Sequence, residues 1–341
     1  METEQFKVIN GDCLEVLKQI PDHSVSLILT DPPYHSTKKK NITNDTAFAC
    51  DRAYIEWMHL LCKEWKRVLK YNGSLLCFCS AKMAAQLEVC FAHEFNILNQ
   101  IVWTKPNLPG FDGWKQKMKK SILRQWYAHS ERAIFAEPAY GNTIGRSYFS
   151  IYLREVRSKS KISAHDLAEE TGMYGKVNHG GAISNWETGR NVPSREQYNK
   201  IKDAIQAKGV VTDMPIYEDI VRPFNVSSQV PFTDVWDYPS VRPYKGKHPA
   251  EKPLEMLVDI IAATTYEGDT VLDCFAGSGS TAIASILSNR KSISVEIEAE
   301  WCDAIRSRID KLIKMPQAFR QSLTSPEAID DYSEELPLFM P

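Results

Sequence analysis

No stretch of this 341-residue chain is apolar for long enough to span a bilayer. The N-terminus, Met1-Glu2-Thr3-Glu4-Gln5, lacks the basic-then-apolar order of a secretory signal. Its eight cysteines are scattered and form no Cys-x-x-Cys pair. That argues against zinc and against a disulfide framework, so no metal site is expected. No Gly-Lys-Thr or Gly-Lys-Ser phosphate loop is present. A net charge of −2 does not mark the whole chain as a partner of polyanions. What is left is a cytoplasmic protein with reduced thiols and no membrane partner. With 43% hydrophobic and 25% charged residues, it is long enough for about two domains with a large core.

The most informative residues are Asp31-Pro32-Pro33-Tyr34. They follow the apolar run Val25 to Thr30, which predicts a buried strand. In open α/β sheets, ligands sit at the carboxyl edge of the strands. Proline fixes φ and removes the backbone donor, so the turn is rigid and rich in acceptors. A carboxylate, carbonyls without competing N–H groups and an aromatic ring suit a flat ring bearing an exocyclic amine.

Strand and helix patterns alternate through residues 1–150 and again through 248–315. In the first part, strands are expected at Phe6–Ile9, Val25–Thr30, Ser74–Cys79, Ile101–Trp103 and Ala133–Phe135. Helices are expected at Cys13–Ile20 and Tyr54–Leu69, the second ended by Asn72-Gly73. In the second part, helices are expected at His248–Thr264, after Gly279 to Leu287, and at Trp301–Ile313. Strands there are Thr270–Asp273 and Ser292–Glu296. Residues 151–209 are polar and helical in pattern, and read as an insertion. Residues 210–247, with Pro223, Pro231, Pro239 and Pro243, read as a connecting loop. Residues 316–341 read as a flexible acidic tail.

Asp273-Cys274-Phe275-Ala276-Gly277-Ser278-Gly279 joins a strand to a helix. Its glycines let backbone approach a ligand closely. Glu296 closes the next strand, seventeen residues after Gly279, a spacing that suits a carboxylate on ribose hydroxyls. The third glycine of a dinucleotide fingerprint is missing, since position 282 is Ala. A ligand with a ribose and no pyrophosphate fits better than a nicotinamide dinucleotide, and S-adenosylmethionine is such a ligand.

Basic residues cluster in three places. Lys38-Lys39-Lys40 follows Tyr34, and Arg154, Arg157, Lys159 and Lys161 form another group. Between them lie Lys105, Lys115, Lys117, Lys119, Lys120 and Arg124, against Asp112 alone. Trp114, Trp126 and Tyr127 are interleaved, which favours nucleic acid over a merely solvated face.

Taken together, the chain resembles the amino-methyltransferases that act on adenine N6 or cytosine N4 in DNA. The resemblance rests on Asn10-Gly11-Asp12-Cys13, Thr30 to Tyr34, Trp103-Thr104-Lys105-Pro106, His248 to Pro253, Asp273 to Thr281 and Ser294-Val295-Glu296. The catalytic motif precedes the cofactor motif, as in the family's β group. This implies a circularly permuted S-adenosylmethionine-dependent methyltransferase fold, a mostly parallel doubly wound α/β sheet with an inserted all-α module. Residues 1–150 would be its catalytic half and 248–315 its cofactor-binding half. The resemblance implies that Asp31, Pro32, Pro33 and Tyr34 are catalytic. Asp31 and the Pro32 carbonyl would accept the two amine N–H groups, and Tyr34 would stack on a base taken out of the duplex. It places S-adenosylmethionine against Asp12, Cys13, Asp31, Lys252, Asp273, Phe275, Ala276, Gly277, Ser278, Gly279 and Glu296. Asp12 would meet the adenine edge, Glu296 the ribose, and Lys252 the methionine end. Asp before Pro-Pro-Tyr leans towards adenine N6, with cytosine N4 the alternative. A regulator built on an inactive scaffold is the reading from another class.

Tyr152 to Ile205 resembles the helix-turn-helix domain of phage-repressor-like regulators. The matching positions are Leu153, Arg154, Arg157, Asp166-Leu167-Ala168, Gly172, Ile183, Trp186-Glu187, Gly189 and Pro193. A recognition helix at Gly181–Thr188 would expose Ser184, Asn185 and Arg190 to double-stranded DNA. Met173–Gly180 is longer than the tight turn of such domains, and the alternative use is packing or dimerisation. Glu335-Leu336-Pro337-Leu338-Phe339 loosely resembles sliding-clamp-binding peptides. A homodimer and a cognate restriction enzyme complete the partners that the resemblance allows.

Overall fold

The computed structural model describes residues 5–35, 48–105, 120–122, 124–126, 129–141, 146–175, 181–226, 231–241, 248 and 250–315. The chain runs β1 (Phe6–Asn10), α1 (Cys13–Leu17), β2 (Val25–Thr30), α2 (Asp51–Val68), β3 (Leu69–Ser80), α3 (Ala84–Phe91), β4 (Phe95–Trp103) and β5 (Glu131–Pro138). Four helices follow: α4 (Tyr148–Lys159), α5 (Ala164–Glu170), α6 (Ala182–Glu187) and α7 (Arg195–Ala207). The short α8 (Tyr217–Ile220) and β6 (Val235–Trp236) lead to α9 (Leu254–Thr264), β7 (Thr270–Asp273), α10 (Ser280–Leu287), β8 (Lys291–Glu296) and α11 (Ala299–Lys314).

One sheet holds all eight of these strands, in the order β1-β8-β7-β2-β3-β5-β4-β6. Pairings are parallel except β3–β5 and β4–β5. The late strands β7 and β8 sit between β1 and β2, which is the permutation expected. It brings the ends of β2 and β7 side by side. β2 is wholly buried because both faces of the sheet are covered. Helix α2 buries Tyr54, Met58, Leu61, Cys62, Trp65 and Val68 along one stripe, at helical spacing. Each such side chain contributes roughly 1.5–3 kcal/mol on burial. Among the described residues, no helix is long and apolar enough to cross a membrane.

Two local expectations are corrected. Asn72-Gly73 does not end α2 in a turn but lies inside β3, which begins directly at Leu69. A Cβ at Gly73 would stand 3.0 Å from the Lys70 carbonyl and 3.2 Å from that of Ser26. The glycine thus permits the register shift between Val25 and Leu27 on β2. His248 and Ala250–Lys252 are not helical. Pro253 caps α9 and disfavours helical backbone in the residue before it, so this segment lies as a loop across the sheet edge. Helix α3 and strand β6 were not expected.

The helices α4 to α7 enclose a core of their own, including Phe149, Leu153, Leu167, Ile183, Trp186, Tyr198 and Ile201. Ser147, Ser163 and Ser194 cap three of them. This module is tied to the end of the sheet opposite the carboxyl ends of the parallel strands. Asn72 donates to the carbonyls of Glu218 and Val221, Arg222 pairs with Glu137 at 2.8 Å, and Tyr148 stacks on Tyr71 at 4.5 Å. The six steps along β5 from Glu137 to Glu131 span about 20 Å between that end and the other.

Candidate active site

At the carboxyl edge of β2, β7 and β8 lies a cavity of about 490 Å³. Asp31, Pro32, Pro33 and Tyr34 line it, as do Asp12, Cys13, Lys252, Asp273, Phe275, Ala276, Gly277, Ser278 and Glu296. The two motifs are far apart in sequence and meet because β2 pairs with β7. Thr30 fastens them: its hydroxyl donates to Asp273 Oδ1 at 2.9 Å and accepts the Cys274 N–H at 3.2 Å.

The glycine loop is held by carboxylates. Asp273 Oδ1 also accepts the Phe275 N–H at 3.1 Å. Burial pushes its carboxyl up to about 6, against the hydrogen bonds it accepts. Glu296 accepts the N–H groups of Gly277 at 2.8 Å and Glu298 at 2.9 Å. Gly277 and Gly279 have φ of +50° and +79°, the left-handed region that favours glycine. A Cβ would stand 2.9 Å from His248 Cε1 at Gly277 and 2.8 Å from Ile305 Cγ1 at Gly279. Gly279 thus carries the turn into α10, although it does not line the cavity wall. Asp12 caps α1 by accepting the Leu14 N–H at 2.9 Å. The Cys13 thiol, pushed up to about 12 by burial and by Asp12, stays protonated and inert.

The Asp31–Tyr34 turn is charged in a way its own four residues do not reveal. Lys252 forms a buried ion pair with Asp31 Oδ2 and lies 3.7 Å from Glu131 Oε2. Lys252, expected at the methionine end of the cofactor, lines the same cavity and stands against the Asp31 carboxylate. Glu131, at the start of β5, accepts the Tyr34 hydroxyl at 3.2 Å and pairs with Lys105. Lys105, expected to meet DNA phosphates, is turned inward, with its ammonium 4.6 Å from the Trp103 ring. Burial lowers the Lys105 pKa against the pull of Glu131. Burial drives Asp31 upward against the pull of Lys252. The Tyr34 phenol is driven far up by burial and by both carboxylates, so it remains a donor. Asp31 Oδ1 is buried with no hydrogen-bond partner among the described residues. Sequence reasoning missed Glu131, Trp57, Phe48 and His248. Trp57 meets Phe275 at 5.6 Å, and His248 packs edge-on against Trp301 at 4.7 Å.

The expected DNA-facing residues divide. Lys38, Lys39, Lys40, Lys115, Lys117 and Lys119 lie outside the described residues, as do Trp114 and Tyr127. Lys120 opens a 3₁₀ turn, Lys120–Ile122. Arg124 is exposed, and Trp126 is 96% exposed, between Lys105 and Glu131 in the chain. In the helical module, Ser184 and Asn185 are only half-exposed on α6, and Arg190 lies beyond its end. Arg190 donates to Asn185 Oδ1 at 3.3 Å. The tail peptide at Glu335–Phe339 lies outside the described residues.

Comparison with known proteins agrees with this geometry. The family model described as DNA methylase, N6_N4_Mtase, matches residues 25–307. The DNA adenine methyltransferase YhdJ of Escherichia coli is 26% identical over 310 residues, covering 90% of this chain and 83% of that protein. The type II methyltransferase M.BamHI of Bacillus amyloliquefaciens is 26% identical over 313 residues, covering 90% of this chain and 57% of that one. The crystallised PvuII DNA methyltransferase, described as cytosine-N4-specific, shares the fold with a TM-score of 0.53 at 17% identity, over 97% of this chain and 92% of that one. The chain belongs to the DNA methylase family, whose model covers both the Asp31 motif and the glycine loop.

Proposed function

We propose that the protein transfers a methyl group from S-adenosylmethionine to adenine N6 of a base turned out of duplex DNA. The observation that carries this reading is Asp31 Oδ1, a buried acceptor without a partner among the described residues, on the wall of a cavity shared with the glycine loop. The cavity fits the cofactor. Gly277 lets backbone come close, Phe275 and Trp57 offer apolar ring faces, and Asp12 and Glu296 bring carboxylates to the cavity wall. When bound, S-adenosylmethionine supplies a methyl group on an electrophilic sulfonium.

The chain's own work is to make a poor nucleophile better. The N6 lone pair is delocalised into the adenine ring. Asp31 Oδ1 accepts one amine N–H and the Pro32 carbonyl accepts the other, which favours a pyramidal nitrogen. Asp31 opposes the positive charge that grows on nitrogen and accepts the proton that nitrogen then releases. Tyr34 stacks on the base, with its ring held by the bond to Glu131. Arg124 and Trp126, both exposed, meet the duplex. The name of the Escherichia coli relative supports adenine as the target.

Residues 151–209 act as a separate module and 210–247 as its return connection. Attached at the end of the sheet away from Asp31, the module serves duplex beyond the target base or association of the enzyme with itself. A cognate restriction enzyme and the sliding clamp remain proposals of the same kind. Mass spectrometry of nucleosides tests the chemistry directly, on DNA from a methylation-free host expressing the chain. N6-methyladenine is expected. N4-methylcytosine would move the reading to the other amine, and neither product from folded protein would overturn it.

A further inference from the structure

Two carboxylates and two lysines are gathered in the buried wall beside the catalytic turn, and their formal charges cancel. Asp31 arrives on the end of β2, Glu131 on the start of β5, Lys105 just after β4, and Lys252 just before α9. Lys252 is the shared member, paired with Asp31 Oδ2 and 3.7 Å from Glu131 Oε2. Glu131 spends its other oxygen on Lys105 and also takes the Tyr34 hydroxyl. A lysine held by Asp31 alone would neutralise the very carboxylate that must accept the amine.

We propose that Glu131 is a positioning residue for methyl transfer, whose charge offsets that of Lys252 beside Asp31 and whose carboxylate holds the Tyr34 ring, so that Asp31 stays a strong acceptor. This rests on reading Asp31 as the amine's acceptor. The groups facing Asp31 are Lys252, Glu131, Tyr34, Cys77 and Cys79 on β3, and Asp273 on β7. Burial keeps both thiols protonated. The negative charge of Glu131 raises Asp31, while Lys252 lowers it. Taking away the Glu131 charge therefore makes Asp31 less basic and leaves the charge of Lys252 to act on it unopposed.

The test is tritium transfer from labelled S-adenosylmethionine to methylation-free genomic DNA, followed across pH. In Glu131→Gln, kcat is expected to fall about tenfold or more, with both KM values within about threefold. The acid limb of kcat is expected to move to lower pH by about half a unit. Glu131→Asp, which keeps the charge, is expected to return the limb and much of the rate. Asp273 is common to all these proteins, so the difference between their limbs isolates Glu131. If Glu131→Gln does not fold, the pair Lys105→Met with Glu131→Gln removes the buried ion pair together and is expected to show the same shift. A kcat within about twofold of wild type, or a lower kcat with the limb unmoved, overturns the positioning role. Asp31→Ala assayed alongside separates the two readings. Transfer that survives Asp31→Ala overturns the acceptor itself, whereas an inactive Asp31→Ala beside an unaffected Glu131→Gln overturns only the role of Glu131.

Discussion

Asp31→Asn keeps the shape of the catalytic turn and removes one charge. Methylating a neutral amine places close to a full positive charge on nitrogen, part of it already present in the transition state. A carboxylate about 4 Å from a unit charge contributes roughly 4 kcal/mol at an effective dielectric constant near 20. With a partial charge the loss is about 2–4 kcal/mol, a fall in rate of roughly 30- to 1000-fold. Folding should suffer less. Lys252 loses its Asp31 pair but retains Glu131 at 3.7 Å, so the cost stays below the roughly 3–5 kcal/mol of a buried charge left with no partner. Single-turnover transfer of labelled methyl to DNA measures the rate, equilibrium dialysis measures cofactor affinity, and thermal unfolding checks the fold. The expected variant is folded, binds S-adenosylmethionine within about threefold of wild type, and transfers slowly. A rate within about fivefold of wild type would refute charge stabilisation by Asp31.

Gly279→Ala places a Cβ 2.8 Å from Ile305 Cγ1 at a φ of +79°. Left-handed backbone and overpacking together should cost about 2–4 kcal/mol and weaken cofactor binding, as read by urea unfolding and dialysis. Unchanged stability would show that the loop yields freely. Asp273 makes stability depend on pH. Its folded carboxyl is pushed up to about 6 by burial, so its contribution is full below about pH 4 and is lost as pH rises through about 6. Asp273→Asn should flatten that slope, worth about 3 kcal/mol between about pH 4 and pH 7. Parallel urea curves for the two proteins across that range would contradict it.

Local order explains what could be read without coordinates. Val25–Thr30 is a run of strand-forming residues stopped by two prolines, so its end and the rigidity of Asp31–Tyr34 follow from backbone sterics. Asp273 to Gly279 announces itself because a strand, two glycines and an apolar helix occur within a dozen or so residues. Where local signals compete, contacts distant in sequence decide. Asn72-Gly73 has turn composition, yet it lies within β3 at the register shift opposite Val25–Leu27, with the Asn72 amide held by the carbonyls of Glu218 and Val221. The residues just before Pro253 sit next to the apolar helix Leu254–Thr264, but Pro253 disfavours helical backbone before it and the helix starts only beyond it. Lys105 read as a phosphate contact because its sequence neighbours are basic, but its spatial neighbour is Glu131.

By itself the sequence determined the chemistry on offer: an acceptor turn after a buried strand, a close-approach glycine loop and a carboxylate one strand on. Each is a short-range pattern whose conformation is dictated within a few residues. Only the tertiary structure decided the electrostatics and the orientation. Lys252 meets Asp31 across 221 positions of chain, and Glu131 meets Tyr34 across 97. The helical module is fastened at the end of the sheet away from both. Strand pairing between distant segments makes these contacts, and no local pattern encodes which side chains a sheet edge will bring together.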